Sequence, residues 1–229
     1  VSRERILTDA EIKILWDAMD RTIERKLVRN KKRYLYQGRI ISEAMRDILR
    51  LLLLTGQRTT DVMTMQVAHI DKDRKEWTVP APTRGKNQHP NVLPLSPLAW
   101  EIIEPRLNNQ RWVFPSKYNS TRAHSKNTGH VHSTKEARRR LREETGTEGW
   151  TGHDFRRTCR TIMSREKVKP HIAERVLGHV QGGVEGIYDR YAYLQEKAEA
   201  LEKIDKAIRK IIGLNQKNVR VIKLRIAPG

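Results

Sequence analysis

The sequence predicts a mainly helical domain carrying a small antiparallel β-sheet, an α+β fold. Apolar residues recur at helical spacing over most of the chain, capping patterns open several of those stretches, and one pair of short β-type runs flanks a polar turn near Gly85. At 229 residues and 37% hydrophobic content, the chain is long enough to build a packed core.

The elements follow in order. Thr8-Asp9-Ala10-Glu11 is a capping-box pattern, and Ile12, Leu15, Met19 and Ile23 after it predict a first helix reaching about Lys26. From Glu24 to Arg39 the chain is dense in Arg and Lys, with Tyr34 and Tyr36 interleaved. This segment reads either as a solvated basic connector or as a stretch that contacts phosphate and stacks on bases. Met45, Ile48, Leu49, Leu52 and Leu53 form a broad stripe on a second helix, Ile41 to Thr55, which Gly56 closes in the left-handed conformation. Arg58 therefore stands just past a buried helix end.

Val62, Met65 and Val67 continue as a short helix, followed by strands at Trp77-Thr78-Val79 and Val92-Leu93-Pro94-Leu95. A helix with Pro97 in its first turn runs from Ser96 to Leu107, and Trp112-Val113-Phe114 is extended before a polar segment, Ser116 to His132. Ser133-Thr134-Lys135-Glu136 reads as a second capping box, opening a charged helix to about Glu144. Its residues Arg138 and Arg139 are either solvated or laid against phosphate. Helices are expected from His153 to about Glu166, from Pro170 to near Gly178, and from Glu196 to Ile212; Asn218 to Ile226 alternates like a strand without a local partner.

Charge narrows the partners. Lys and Arg number 46 against 27 Asp and Glu, giving +19 and a pI near 10.3, which calls for a polyanion, with DNA or RNA foremost. A single cysteine, Cys159, excludes an intrachain disulfide framework; it fits a reducing compartment and reads as a packing residue. The longest apolar stretch, Ile48 to Thr55, is interrupted by Arg50 and falls far short of the roughly 20 residues that span a bilayer. The start, Val1 to Asp9, has no apolar signal region. The expectation is a cytoplasmic protein with no membrane partner. His124, His130 and His132 lack cysteines or a carboxylate at ligand spacing, so neither a metal nor another cofactor is expected.

The chemistry concentrates late in the chain. On a helix His153 and Arg156 share a face. Arginine's planar fork matches phosphate oxygens, and Arg58 with Arg156 suits the charge that builds on a pentacoordinate phosphorus without any metal. A phenol titrates near pH 10, so attack by Tyr188 requires a base or an electropositive pocket.

These residues resemble the tyrosine recombinases, or phage integrases, whose catalytic fold is shared with type IB topoisomerases. Leu53-Leu54-Thr55-Gly56-Gln57-Arg58, with Asp61 three further on in place of the commoner Glu, resembles the family's first block. Gly152-His153-Asp154-Phe155-Arg156-Arg157-Thr158 resembles the second, with Phe155 at the usual leucine position, and Val176-Leu177-Gly178-His179 the third. Thr83 to Pro90, leading into Val92 to Ser96, resembles the family's lysine-bearing hairpin.

The resemblance covers roughly residues 5 to 212. It implies the tyrosine recombinase catalytic domain fold over residues 1–213, a C-terminal tail at 214–229 that packs on a neighbouring protomer, and an N-terminal core-binding domain absent from this chain, so that Val1 reads as a boundary between domains. It implies catalytic roles for Arg58, Lys86, His153, Arg156 and His179, Tyr188 as nucleophile in preference to Tyr191 and Tyr193, and Asp61 behind the cluster. Arg84, Arg157, Arg138 and Arg139 are the expected DNA contacts. The implied reaction cleaves double-stranded DNA at attachment sites through a 3′-phosphotyrosyl link, in a tetramer on DNA and as a monomer in isolation. A type IB topoisomerase and a non-catalytic DNA-binding module of the same fold are the rival readings.

Overall fold

The computed structural model describes residues 4–29, 32–81, 90–116, 129–179 and 193–214. The order is α1 (Asp9–Ala18), β1 (Thr22–Arg29), β2 (Lys32–Arg39), α2 (Glu43–Thr55), α3 (Thr59–Met63), β3 (Ile70–Asp71), β4 (Glu76–Val79), β5 (Asn91–Pro94), α4 (Pro97–Ile103), α5 (Lys135–Thr145), α6 (Gly152–Arg165), α7 (Pro170–Leu177) and α8 (Leu194–Ile212). The expected mainly helical architecture with a small antiparallel sheet is present.

The core is built around α2. A helix that is apolar on nearly every side must be surrounded, and Ile48, Leu49, Leu51, Leu52, Leu53 and Leu54 are all buried. One side meets α6, and others meet α3, α4 and α8. Helix α8 acts as a long strut, touching α1, α2, α4, α6, α7 and β5. At 19 residues it is about 28 Å long.

Two sheets are antiparallel. The three-stranded one has the order β3-β4-β5, with Ile70 opposite Trp77 and Val79 opposite Asn91 as its last rungs. The Val79–Asn91 rung is the root of the connection that carries the lysine-bearing hairpin motif.

Local chemistry explains the element ends. Thr8 Oγ1 accepts from Glu11 N at 3.2 Å while Thr8 N donates to Glu11 Oε2 at 2.9 Å, the reciprocal capping box expected at α1. Helix α2 ends on Gly56 in the left-handed region at φ +64°.

Four expectations need correction. Helix α1 stops at Ala18, and residues 22–39 form a hairpin, β1 paired with β2 from Thr22↔Arg39 to Arg29↔Lys32. Met19 and Ile23 sit four apart and mimic a helical turn, but Thr22, Ile23, Val28, Tyr34 and Tyr36 are residue types that favour strands. At α5 the second capping box does not form: Thr134 makes no side-chain cap bond, Ser133 Oγ accepts from Lys135 N, and Glu136 instead pairs with Arg139 and Arg140. The short helix after Val62 breaks into α3 and a separate 3-10 turn, Val67–His69, because Val67 N is drawn to Arg111 O and Val113 N to Met65 O. Strand β3 was not anticipated; two residues are too few to show a period. The expected strand at 218–226 lies outside the described residues.

Candidate active site

Arg156 is the centre of the site. Helix α6 is set by Asp154, fully buried, whose Oδ2 accepts from Thr151 N at 2.7 Å and from Thr151 Oγ1 at 2.8 Å. That carboxylate, sitting at the positive end of the helix, fixes the turn on which His153 and Arg156 are displayed. Phe155 seats the same turn from below, its ring edge-on to Trp150 at 5.5 Å; Trp150 Nε1 in turn donates to Thr147 Oγ1 at 2.8 Å. The aromatic pair fills the space behind the position where the family resemblance expects leucine.

The Arg156 guanidinium is only 4% exposed and makes three bonds across the fold. Nη1 donates to Gly56 O at 2.7 Å, and Nη2 donates to Leu177 O at 2.8 Å and lies 2.6 Å from His179 Nε2. One side chain therefore joins α6 to the end of α2, 100 residues earlier, and to the end of α7, 21 residues later. Burial and the neighbouring Arg58 charge lower its pKa to about 10, which still leaves it fully protonated near neutrality.

The His179 tautomer follows from these bonds. Arginine offers donors only, so Nε2 accepts and the Nδ1 proton goes to Glu174 Oε2, 2.5 Å away. Glu174 also accepts from Arg160 Nε at 2.9 Å, and its carboxyl is held below the usual range by Arg160 and His179 against the opposing effect of burial. With both ring nitrogens engaged, direct donation from His179 to a phosphate requires an exchange of partner when the phosphate arrives.

His153 and Arg58 border the same centre and are exposed. Partial burial, then Arg157, Arg156 and Arg58, push the His153 imidazole below its ordinary value, so it is neutral near pH 7 and able to take a proton. Arg58 caps α3 with its backbone, and its Nη1 lies 3.7 Å from Asp61 Oδ2. Asp61 Oδ2 is buried without a hydrogen bond, and burial raises the Asp61 pKa against the opposing pull of Arg58 and Arg156. The structure thus brings Arg58, Asp61, His153, Arg156 and His179 into one neighbourhood.

Sequence reasoning missed the residues that hold this cluster. Gln57 Nε2 donates to Val176 O at 2.8 Å, locking the residue next to Arg58 onto α7. Asn91 Nδ2 reaches the same carbonyl at 3.2 Å, and Lys197 Nζ donates to Asn91 Oδ1 at 2.9 Å and Val92 O at 3.0 Å. A lysine four residues into an amphipathic helix reads as a solvated charge, so nothing in the pattern flagged Lys197.

Lys86, Arg84, Tyr188 and Tyr191 lie outside the described residues. Tyr193 is described: it precedes α8 at φ +52°, with the Arg175 guanidinium 4.0 Å over its ring. Of the expected DNA contacts, Arg157 bonds Asp154 Oδ1 at 3.1 Å and Arg138 bonds Thr134 Oγ1 at 3.1 Å. Arg139 is clasped by Glu136 and Glu143, carboxylates with which a phosphate would have to compete. Among the described residues no group of three His, Cys, Asp or Glu side chains is placed to hold a metal, and no helix is long and apolar enough to cross a membrane.

The helical domain beside its small antiparallel sheet has the fold of solved integrases and recombinases. It matches an integrase from mycobacterium phage Brujita with a TM-score of 0.61, at 17% identity over 92% of this chain and 64% of that one. It matches lambda integrase, in a dimer bound to a COC′ core site, with a TM-score of 0.53 at 15% identity over 84% and 49%. The phage integrase family matches residues 6–195, and the chain belongs to that family. Prophage integrase IntZ of Escherichia coli (strain K12) is 26% identical over 179 residues, 76% of this chain and 42% of that protein. The integrase of Salmonella phage P22 is 24% identical over 159 residues, 66% and 40%. The chain spans about two fifths of the length of these curated relatives.

Proposed function

We propose that the chain is the catalytic part of a site-specific DNA recombinase, a phage or genomic-island integrase that cleaves and rejoins double-stranded DNA at attachment sites. The observation that carries this reading is the Arg156 cluster: a buried guanidinium fixed by three bonds, flanked by Arg58 and a neutral His153. Such a site gives positive charge for phosphate oxygens and a base for a phenol, the two needs of phosphoryl transfer without a metal. Solved relatives are described as bound to a COC′ core site and to circular intermediate DNA, which supports duplex DNA as the partner.

In this reading the Tyr188 phenolic oxygen bonds to phosphorus as the bond to the 5′ oxygen breaks. His153 takes the phenolic proton, and Lys86 gives one to the departing 5′ oxygen. The 3′-phosphotyrosyl link keeps the energy of the diester, so a 5′-hydroxyl reverses the step without ATP. Asp61 steadies Arg58, while Arg84, Arg157 and Arg138 approach the backbone; Arg139 does so only by leaving its carboxylates. Residues 1–213 form the catalytic unit and 214–229 a tail that reaches a neighbouring protomer. Assembly is a tetramer on DNA, from monomers, in the cytoplasm.

The test is incubation with a nicked duplex carrying the junction sequence of the genetic element that encodes the chain. A covalent protein–DNA adduct is expected, absent in Tyr188→Phe. An adduct that persists in Tyr188→Phe and vanishes in Tyr191→Phe moves the nucleophile.

A further inference from the structure

Three side-chain bonds leave α6, cross to α7 and return to the helix they left. Arg156 Nη2 lies 2.6 Å from His179 Nε2, His179 Nδ1 lies 2.5 Å from Glu174 Oε2, and Glu174 Oε1 accepts from Arg160 Nε at 2.9 Å. Arg156 and Arg160 stand one turn apart on α6 and so share a face. The run of groups is therefore guanidinium, neutral imidazole, carboxylate, guanidinium.

Glu174 holds His179 in two places. Helix α7 ends on Gly178 at φ +68°, which turns the chain back so that His179 N donates to Glu174 O at 2.9 Å. The imidazole is thereby returned to the carboxylate of the same residue. Burial raises the Glu174 pKa, but Arg160 and His179 together lower it more, so the carboxylate stays charged near neutrality. A neutral acceptor would fix the Nδ1 proton equally well. The negative charge is of further use only to a ring that becomes positive.

Arrival of a phosphate supplies the occasion. In the free protein Nε2 accepts from Arg156, and a phosphate oxygen offers it nothing to accept. For the ring to meet that oxygen, Nε2 has to carry a proton. Shifting the Nδ1 proton there would set a lone pair against the Glu174 carboxylate, so the proton comes from solvent and the ring becomes an imidazolium between two anions. Among the described residues the charged groups touching the ring are Arg156 from α6 and Glu174 from α7, with Arg160 of α6 behind the latter. A diester drawn onto Arg156 offsets its repulsion of a charged ring.

We propose that Glu174 is a positioning residue for phosphate binding: its carboxylate, held by Arg160, makes His179 take up a solvent proton as the diester binds and donate from Nε2 to a phosphate oxygen. This rests on the recombinase reading above.

Counting protons separates this role from a structural one. The Tyr188→Phe chain, which binds without cleaving, is titrated with the nicked junction duplex by calorimetry near neutral pH, in buffers of different ionisation heat. The dependence of the measured heat on the buffer gives the number of protons taken up. Because His153 also meets the incoming charge, every protein in the comparison carries His153→Gln. Against this background Glu174→Gln, whose amide oxygen still accepts from Nδ1, should take up about 0.5 to 1 proton fewer. It should also bind about 10-fold more weakly, a modest loss because the pair is partly exposed. Glu174 is 33% exposed and the variant keeps its backbone bond to His179, so the fold is retained. Since the bound state holds the extra proton, affinity should fall with rising pH more steeply in the background than in Glu174→Gln. Added to His179→Gln, Glu174→Gln should leave the uptake unchanged. Equal uptake with and without the Glu174 charge, whatever the loss of affinity, would overturn the proposal and leave the recombinase standing. Failure of the unsubstituted chain to form a covalent adduct with the same duplex would instead overturn the recombinase reading, and the proposal with it.

Discussion

Replacing Gly56 by alanine tests the packing that assembles the site. Gly56 sits at φ +64°, where a β-carbon costs roughly 1–2 kcal/mol. The added carbon would also stand 2.7 Å from Leu177 Cδ2 and 3.1 Å from Cys159 Sγ, both on buried residues. Leu177 has to move, and overpacking of this kind costs about 1–3 kcal/mol. The sum is on the order of 3 kcal/mol, a large share of the stability of an ordinary domain. Gly146 supplies the control: it ends α5 at φ +65° with nothing within 4 Å of an added β-carbon. Gly146→Ala should then lose only the backbone part, about 1 kcal/mol. In urea titration, taking a slope near 3 kcal/mol per molar, Gly56→Ala should shift the midpoint down by about 1 M and Gly146→Ala by about 0.3 M. Because Gly56 O holds Arg156 Nη1, the same variant should also slow adduct formation when measured well below its midpoint. Equal midpoint shifts for the two variants would refute the claim that Gly56 is required by its neighbours as well as by its backbone.

Two further outcomes follow from the titrating groups. His153 is depressed below its ordinary pKa of 6.5, so the neutral base persists to lower pH and is lost only as pH falls through that lowered value. Single-turnover cleavage between about pH 5 and 8 should show an acid limb centred below 6.5, absent in His153→Gln; a limb at or above 6.5 would remove His153 from the role of base. Cys159 is fully buried, and desolvation pushes its thiol up to about 12, so a thiol reagent should leave the native protein unlabelled and react once urea unfolds it. Rapid native labelling, followed by mass spectrometry, would contradict the packing around Gly56.

The sequence disclosed most where periodicity, a cap and a motif coincided. For α2 the apolar stripe, the closing glycine and Arg58 all fall in one run, and each is where it was expected. For α6 the paired His153 and Arg156 share a face as their spacing required. The hairpin at 22–39 stayed hidden because Met19 and Ile23 extend a helical spacing past the true end of α1, and because abundant Lys and Arg mask strand-forming residues as a polar connector. The supporting shell was hidden for a different reason. Gln57, Asn91, Glu174 and Lys197 act through hydrogen bonds that reach as far as 119 residues along the chain, and no local pattern encodes such distances.

The two carbonyls that hold Arg156 also decide how much of its charge remains to be used. Gly56 O and Leu177 O stand at the C-terminal poles of α2 and α7, where a helix carries about half a negative charge spread over its last turn. A carboxylate in their place would cancel the guanidinium and repel any incoming diester. Backbone poles orient the cation without cancelling it, so a positive charge is held at the site by the folded main chain itself.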